Sequence, residues 1–324
     1  MLPRFAYVRA TTVEEATQNL AANGARVHAG GSDLLGCLRD GVFETPLVVS
    51  LSGISSLTGV SRARNGGLRI GAMTKVADVA TDPTINEMYP GLAQAAGVVA
   101  SPQLRNQGTI GGNLCQKPRC WYYRGEFNCR RKGGTTCYAM VGENEYHCIF
   151  GGALCYIVHP SDTAPILTAL GATLNVAGPR GTRSVPLEQF YVLPADDATR
   201  ENVLEQGEFV TEVILPTPAS GLRTSYRKER DRGSWDFALA GVALALRFDG
   251  NRVADANVVL SGAAPVPWRS SEAEQAIDGR EITAAVAAEA AEAAMADARP
   301  LGKNGYKVQL FKGIIEEELL AIAG

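Results

Sequence analysis

Histidine is scarce: His28, His147 and His159 are the only ones in 324 residues. They stand far apart and form no metal-ligand pair. No Ser-His-Asp or Cys-His set can be assembled around them, so triad hydrolysis lacks its residues. No G-x-G-x-x-G opens a strand–helix unit, which disfavours a Rossmann site, and no ATPase-type phosphate loop occurs. Long apolar runs are missing as well. The N-terminus, MLPRFAYVRATTVEEA, lacks the core of a signal peptide, and no stretch approaches the ~20 residues of a membrane span. A cytoplasmic protein is the expectation, with export alongside a signal-bearing partner as the alternative. Neither sign of charge is in excess: the net charge is −3, which gives no electrostatic case for nucleic acid or an anionic membrane.

What is present is an ordinary soluble composition, 46% hydrophobic and 20% charged, in a chain long enough for two or three domains. Two residue types are unevenly placed. Much of the glycine sits in short clusters. Of the seven cysteines, Cys37 stands alone and six crowd between Cys115 and Cys155. An odd count without a signal argues against a secreted disulfide scaffold.

Thr11 or Thr12 caps an expected helix over 13–23, followed by strands at 26–29 and 46–51. Further strands are expected at 68–72, after an Asn65-Gly66-Gly67 turn, and at 157–158, 172–176 and 182–185, the last two as a hairpin. Helices are expected at 75–80 and 91–99. The last part reads as strands near 210–215, 225–228, 241–248 and 256–260, then helices over 282–298 and 306–323. That order is α+β, with an antiparallel sheet first and helices last.

Ala29-Gly30-Gly31-Ser32-Asp33-Leu34 lies between a strand and a helix. Adjacent glycines permit positive φ and close approach of a ligand, and successive N–H groups form an anion nest. A pyrophosphate suits it, although a tight turn would account for one such pair. A second cluster, Thr109-Ile110-Gly111-Gly112-Asn113-Leu114, changes that weighting. Two such turns suit a dinucleotide held from both sides.

AGGSDLL, TIGGNL and the later His159-Pro160-Ser161-Asp162 together resemble the FAD-binding subunit of the molybdenum hydroxylases, the xanthine dehydrogenase family. The resemblance covers nearly the whole chain. It implies a two-part FAD-binding domain of the vanillyl-alcohol-oxidase (PCMH) type, plus a C-terminal α+β domain as in the CO dehydrogenase flavoprotein. The corresponding bounds are 1–55, 56–178 and 179–324. By the match, Ala29, Gly30, Gly31, Ser32, Asp33 and Leu34 contact non-covalent FAD, as do Thr109, Gly111, Gly112, Asn113 and Leu114. Asp162 hydrogen-bonds the cofactor and Lys228 meets the flavin, with a solvated surface lysine as the plainer account.

The segment of about 115–156 is long for a loop and poor in core residues, so something else must order it. Structural zinc usually brings Cys pairs about two to four residues apart, which this segment lacks. Wider spacing suits a 4Fe–4S cluster. The run RCWYYRGEFNC…TTC, ending in LCYIVHPSD, resembles the aldehyde-oxidoreductase branch, where an inserted loop holds such a cluster. On that match Cys120, Cys129, Cys137 and Cys155 are the ligands. Cys148 is in reserve, Cys115 lies beside the flavin and Cys37 is a buried small side chain. Arg130-Arg131-Lys132 offers a docking face for an acidic redox partner or a solvated loop surface.

The implied role is electron transfer in a complex with a molybdopterin-binding large subunit, a small 2Fe–2S subunit and an external carrier such as ferredoxin. A 4-hydroxybenzoyl-CoA reductase β subunit, with electrons running inward, is an alternative. So are a stand-alone FAD oxidoreductase and a zinc-stabilised binding module.

Overall fold

The computed structural model describes residues 1–64 and 66–324. Asn65, in the expected 65–67 turn, lies outside the described residues.

The first unit is a parallel sheet of β1 (Ala6–Arg9), β2 (Arg26–His28) and β3 (Leu47–Ser50), in the order β1-β3-β2. Parallel neighbours need crossovers, and helices Val13–Leu20 and Leu34–Arg39 supply them. The Thr12 hydroxyl accepts from the Glu15 N–H at 3.1 Å, and the Glu15 carboxylate accepts from the Thr11 N–H at 2.7 Å. These bonds fix the first helix start in the manner of a capping box. That helix buries Ala16 and Leu20 against Val49 and Leu51.

The second unit is an antiparallel sheet of β4 (Val60–Arg62), β5 (Leu68–Gly71), β6 (Thr173–Gly178), β7 (Gly181–Pro186) and β8 (Phe209–Leu215), ordered β4-β5-β8-β6-β7. The expected hairpin forms, with Gly178 opposite Gly181 and Gly181 at φ +101°. β7 and β8 lie beyond residue 178, so the expected boundary there falls inside this sheet. Helices Pro90–Gly97 and Thr163–Ala169 bury Leu92, Ile166 and Leu167 beside the sheet residues Ile70, Leu174 and Val213. The strand expected at 157–158 does not form. That stretch is irregular, and its backbone bonds are made singly: Cys148 N–H donates to Tyr156 O and His159 N–H to Ala264 O.

The third unit is an antiparallel sheet of β9 (Leu222–Glu229), β10 (Ala240–Asp249), β11 (Arg252–Ser261) and β12 (Trp268–Arg269), ordered β12-β11-β10-β9. Strand alternation divides β10 between two cores. Val242, Leu244 and Leu246 pack with Ala287, Ala290 and Phe311 of helices Ala284–Met295 and Tyr306–Ala323. Ala243 and Ala245 face the core of the second unit. The third unit is thereby joined to the second through both faces of one strand. No helix among the described residues is long and apolar enough to cross a membrane.

Candidate cofactor cleft and cysteine cavity

A cleft of about 420 Å³ runs between the three units. Ala29 through Asp33, Leu34, Thr109, Gly111, Gly112, Asn113 and Asp162 all line it. The two glycine clusters, distant in sequence, face one space. The Gln107 side chain ties them, its amide donating to Gly30 O at 2.9 Å. Leu114 is fully buried in the core behind the wall, and Lys228 reaches the site through Asp162.

The two clusters are built differently. Gly31 sits at φ +74°, as a nest requires, and a Cβ on Gly30 would stand 2.1 Å from Gln107 O. The second cluster is not a turn. Ile110–Leu114 is a single helical turn capped by Thr109, whose hydroxyl accepts from the Gly112 N–H at 3.2 Å. Its glycines serve close packing: a Cβ on Gly111 would meet Ala72 Cβ at 2.8 Å. Asn113 Oδ1 accepts from the hydroxyls of Ser161 (2.5 Å) and Thr163 (2.7 Å), which welds this turn to the His159–Asp162 stretch.

Asp162 is buried. Its Oδ2 accepts from Lys228 Nζ at 2.8 Å and its Oδ1 from the Tyr226 hydroxyl at 2.9 Å. Burial pushes the carboxyl above its ordinary value, and Lys228 and Tyr226 oppose the rise. Sheet register explains the pairing, since Tyr226 and Lys228 alternate on one face of β9. Lys228 is therefore a buried cation and not a solvated surface charge, its side chain 1% exposed.

Asp33 binds protein groups as well as facing the cleft. It accepts from the Lys117 N–H (2.7 Å), from Arg124 (2.7 Å) and from Arg119. Burial alone would raise this carboxyl, but Arg119 and Arg124 carry it below the ordinary carboxylate value. The nest is thus clamped to the cysteine segment. Sequence reasoning did not assign Lys117, Arg119, Trp235 and Phe237 to this cleft, though all four line it. Nor did it single out Ala100 and Trp235. These are the only non-glycine residues with positive φ among those described, at +41° and +72°. Both line the cleft, and Trp235 N–H donates to Ala100 O at 3.0 Å. Strained backbone at a cleft wall has no signature in side-chain pattern.

Cys120, Cys129, Cys137 and Cys155 line one small enclosed cavity together with Arg130, Arg131 and His147. Cys148 lies outside it, buried, its thiol pushed up to about 12 by burial. Cys115 lines the first cleft, where burial raises its thiol to about 12. Cys37 is fully buried, as expected. Within the cavity the Cys137 and Cys155 thiols act on each other, which lowers the first and raises the second. Among the described residues, no three His, Cys, Asp or Glu side chains form a group arranged to hold a metal ion. The donor set, four thiols beside arginines with no carboxylate in the described lining, fits an iron–sulfur cluster in kind. The sulfurs themselves stand as packed thiols.

Arg131 departs from both expectations for the basic run. It is 4% exposed, pairs with Glu201 Oε1 at 2.9 Å and donates to Ala198 O and Arg200 O. Arg130 and Lys132 donate to Thr135 O and Gly125 O, both at 2.6 Å. Arg130 and Lys132 tie the segment to itself, and Arg131 ties it to residues 198–201. Glu201 also pairs with Lys117, so one buried carboxylate clamps the start and the middle of the segment.

Residues 3–218 match the family described as FAD binding domain in molybdopterin dehydrogenase, and residues 224–321 match the CO dehydrogenase flavoprotein C-terminal domain. The chain is 35% identical over 315 residues to the aldehyde oxidoreductase FAD-binding subunit PaoB of Escherichia coli (strain K12), covering 95% of each. It is similar in structure to a chain of carbon monoxide dehydrogenase from Hydrogenophaga pseudoflava, with a TM-score of 0.78, 27% identity, and coverage of 99% of this chain and 98% of that one. A chain of quinoline 2-oxidoreductase from Pseudomonas putida 86 gives a TM-score of 0.77 and 27% identity, covering 100% of this chain and 98% of that one.

Proposed function

The chain belongs to the FAD-binding medium subunits of the xanthine dehydrogenase and CO dehydrogenase family, and on that premise we propose that it passes electrons between a partner's 2Fe–2S clusters and an external acceptor. Substrate chemistry belongs to the molybdenum site of another subunit, as the family implies. The observation that carries the reading is the convergence of both glycine clusters and Asp162 on one cleft. There the backbone of Gly30 and Gly31 offers N–H groups to a pyrophosphate, and Thr109 and Gly112 close on it from the other side. The buried Lys228 holds Asp162 in place at the cleft wall through an ion pair, so the carboxyl that would meet the cofactor is fixed. FAD, when bound, supplies exchange between two-electron and one-electron carriers. Binding is non-covalent.

We further propose a 4Fe–4S cluster on Cys120, Cys129, Cys137 and Cys155. In support, the four share one cavity and arginines neutralise its surroundings. The partners are a molybdopterin-binding large subunit, a small 2Fe–2S subunit and a one-electron carrier such as ferredoxin. The similarity to an aldehyde oxidoreductase subunit favours an aldehyde as the substrate of the complex.

The test is anaerobic. The chain purified with its partners should lose flavin absorbance near 450 nm (~) when an aromatic aldehyde is added, while the chain alone should not. Bleaching of the isolated chain by aldehyde would instead make it a stand-alone oxidoreductase.

A further inference from the structure

Among the four cysteines of the enclosed cavity, Cys120 has an imidazole beside it. His147 Nε2 lies 3.3 Å from Cys120 Sγ, and both residues line that cavity.

The fold holds the ring there by its backbone. Asn144 is buried, its side-chain amide donates to Ala139 O at 2.9 Å, and its backbone carbonyl accepts from the His147 N–H at 3.0 Å. The chain entering helix Tyr306–Ala323 grips the same stretch. Lys303 N–H donates to Asn144 Oδ1 at 2.9 Å. Asn304, fully buried, donates to His147 O at 3.0 Å and to Cys148 O at 3.1 Å. The buried Lys307 donates to Gly262 O at 2.8 Å and to Tyr146 O at 3.4 Å. Backbone on both sides of His147 is thereby pinned to residues 303–307. The His147 residue is 5% exposed, and its ring centroid stands 6.3 Å from that of Tyr122.

The chemistry of the two partners fixes where the proton sits. A metal-bound cysteine is a thiolate, which carries no proton and only accepts. Nδ1 of His147 is buried and has no hydrogen-bond partner among the described residues. A proton on Nδ1 would leave both that N–H and the sulfur unanswered, whereas a proton on Nε2 joins them. The backbone N–H groups of Tyr123 and Tyr122 also favour negative charge on this sulfur. His147 adds a donor from a side chain.

We propose that His147 is a positioning residue for the cluster, its Nε2–H donating to the Cys120 sulfur and raising the cluster's reduction potential. The inference rests on the four-cysteine reading above. Reduction adds negative charge that the sulfurs share, so a donor at one of them stabilises the reduced form more than the oxidised. Losing the donor lowers the potential.

The experiment uses the full chain, purified anaerobically, with iron measured on every sample. Chain carrying isotope-labelled histidine nitrogens is reduced with dithionite and examined by pulsed EPR. One weakly coupled histidine nitrogen is expected, and with three histidines in the sequence one variant identifies it. His147→Gln, whose amide N–H reaches toward the same sulfur, should lose the coupling and keep a potential near that of the wild type. His147→Leu removes the donor and should shift the balance of reduced to oxidised cluster about tenfold, which is ~59 mV for a one-electron couple. The labelled wild-type chain decides the matter if the leucine variant takes up no iron. Absence of coupling in an iron-loaded chain, or an unchanged potential in an iron-loaded His147→Leu, overturns the proposal and leaves the cluster standing. Strong coupling also overturns it, by making His147 a ligand. A wild-type chain without iron removes the cluster reading and this inference with it.

Discussion

Gly31 holds φ +74°, and a Cβ there would meet His28 Nε2 at 2.5 Å. Alanine at this position costs about 1–3 kcal/mol for the backbone alone. Gly31→Ala should therefore lower FAD retention well beyond its effect on thermal stability. Flavin content after gel filtration, set beside the melting temperature, checks this, and full flavin occupancy in the variant would contradict it. Asp162 makes a second residue-scale case. Its side chain is 5% exposed and its partner Lys228 1%. Asp162→Asn leaves the ammonium buried without its counter-charge, which costs about 3–5 kcal/mol. Chemical denaturation should show a loss of that size. Asp162→Asn together with Lys228→Met should recover part of it, because the double change removes both buried charges. A double variant no more stable than the single one would show that the pair is not coupled.

At the scale of elements, the cysteine segment is held from outside itself. Asp33 grips it through Arg119 and Arg124, and Glu201 grips it through Lys117 and Arg131. Arg131→Ala should loosen the segment while sparing the glycine clusters, so iron should fall and flavin should stay. Equal loss of both would refute that division. The same clamps predict sensitivity to acid. For Asp33 and Glu201, burial would raise the carboxyls, but their cationic partners carry both below the ordinary values. Their contribution is full above the unfolded carboxylate range and is lost as pH falls through the lower folded values. His159 acts in the same direction. Burial lowers it from 6.5 to about 3, so the unfolded chain takes up its proton first and stability falls between those two values. Unfolding free energy should drop steadily from pH 6.5 downward, and a flat profile between pH 6 and 4 (~) would contradict this.

How much of each element was legible depended on where its information lay. The helix 306–323 and the hairpin at 178–181 were readable because a run of good helix formers and a Gly-Pro-Arg-Gly turn are local signals. The TIGGNL stretch read as a turn because glycine disfavours helix, yet it forms a helical turn. The Thr109 cap and contact with Ala72 outweigh propensity there. Ile157 is apolar because it is buried and not because it pairs in a sheet, and Val158 beside it is only half-buried. The partners of β8 were not legible at all. A strand pattern gives its faces but not its neighbours, and β8 joins a sheet whose other members begin far upstream. In the site, the glycine clusters, Asp162 and the four cysteines carried recognisable motifs. Trp235, Phe237 and Glu201 did not, since their place comes from loop geometry and from tertiary ion pairing.

Across the whole molecule, three small units meet around one cleft, and β10 locks the third to the second by serving two cores. That arrangement leaves the glycine-lined cleft, the seat proposed for FAD, between the units. It also gives the account a single composition to check. The chain should be purified anaerobically and its flavin, iron and zinc measured, with visible spectra before and after dithionite. The account predicts one FAD and about four irons per chain, with a broad shoulder that bleaches on reduction. Flavin without iron would remove the cluster and leave a flavin subunit, whereas zinc with no flavin would contradict the account at its centre.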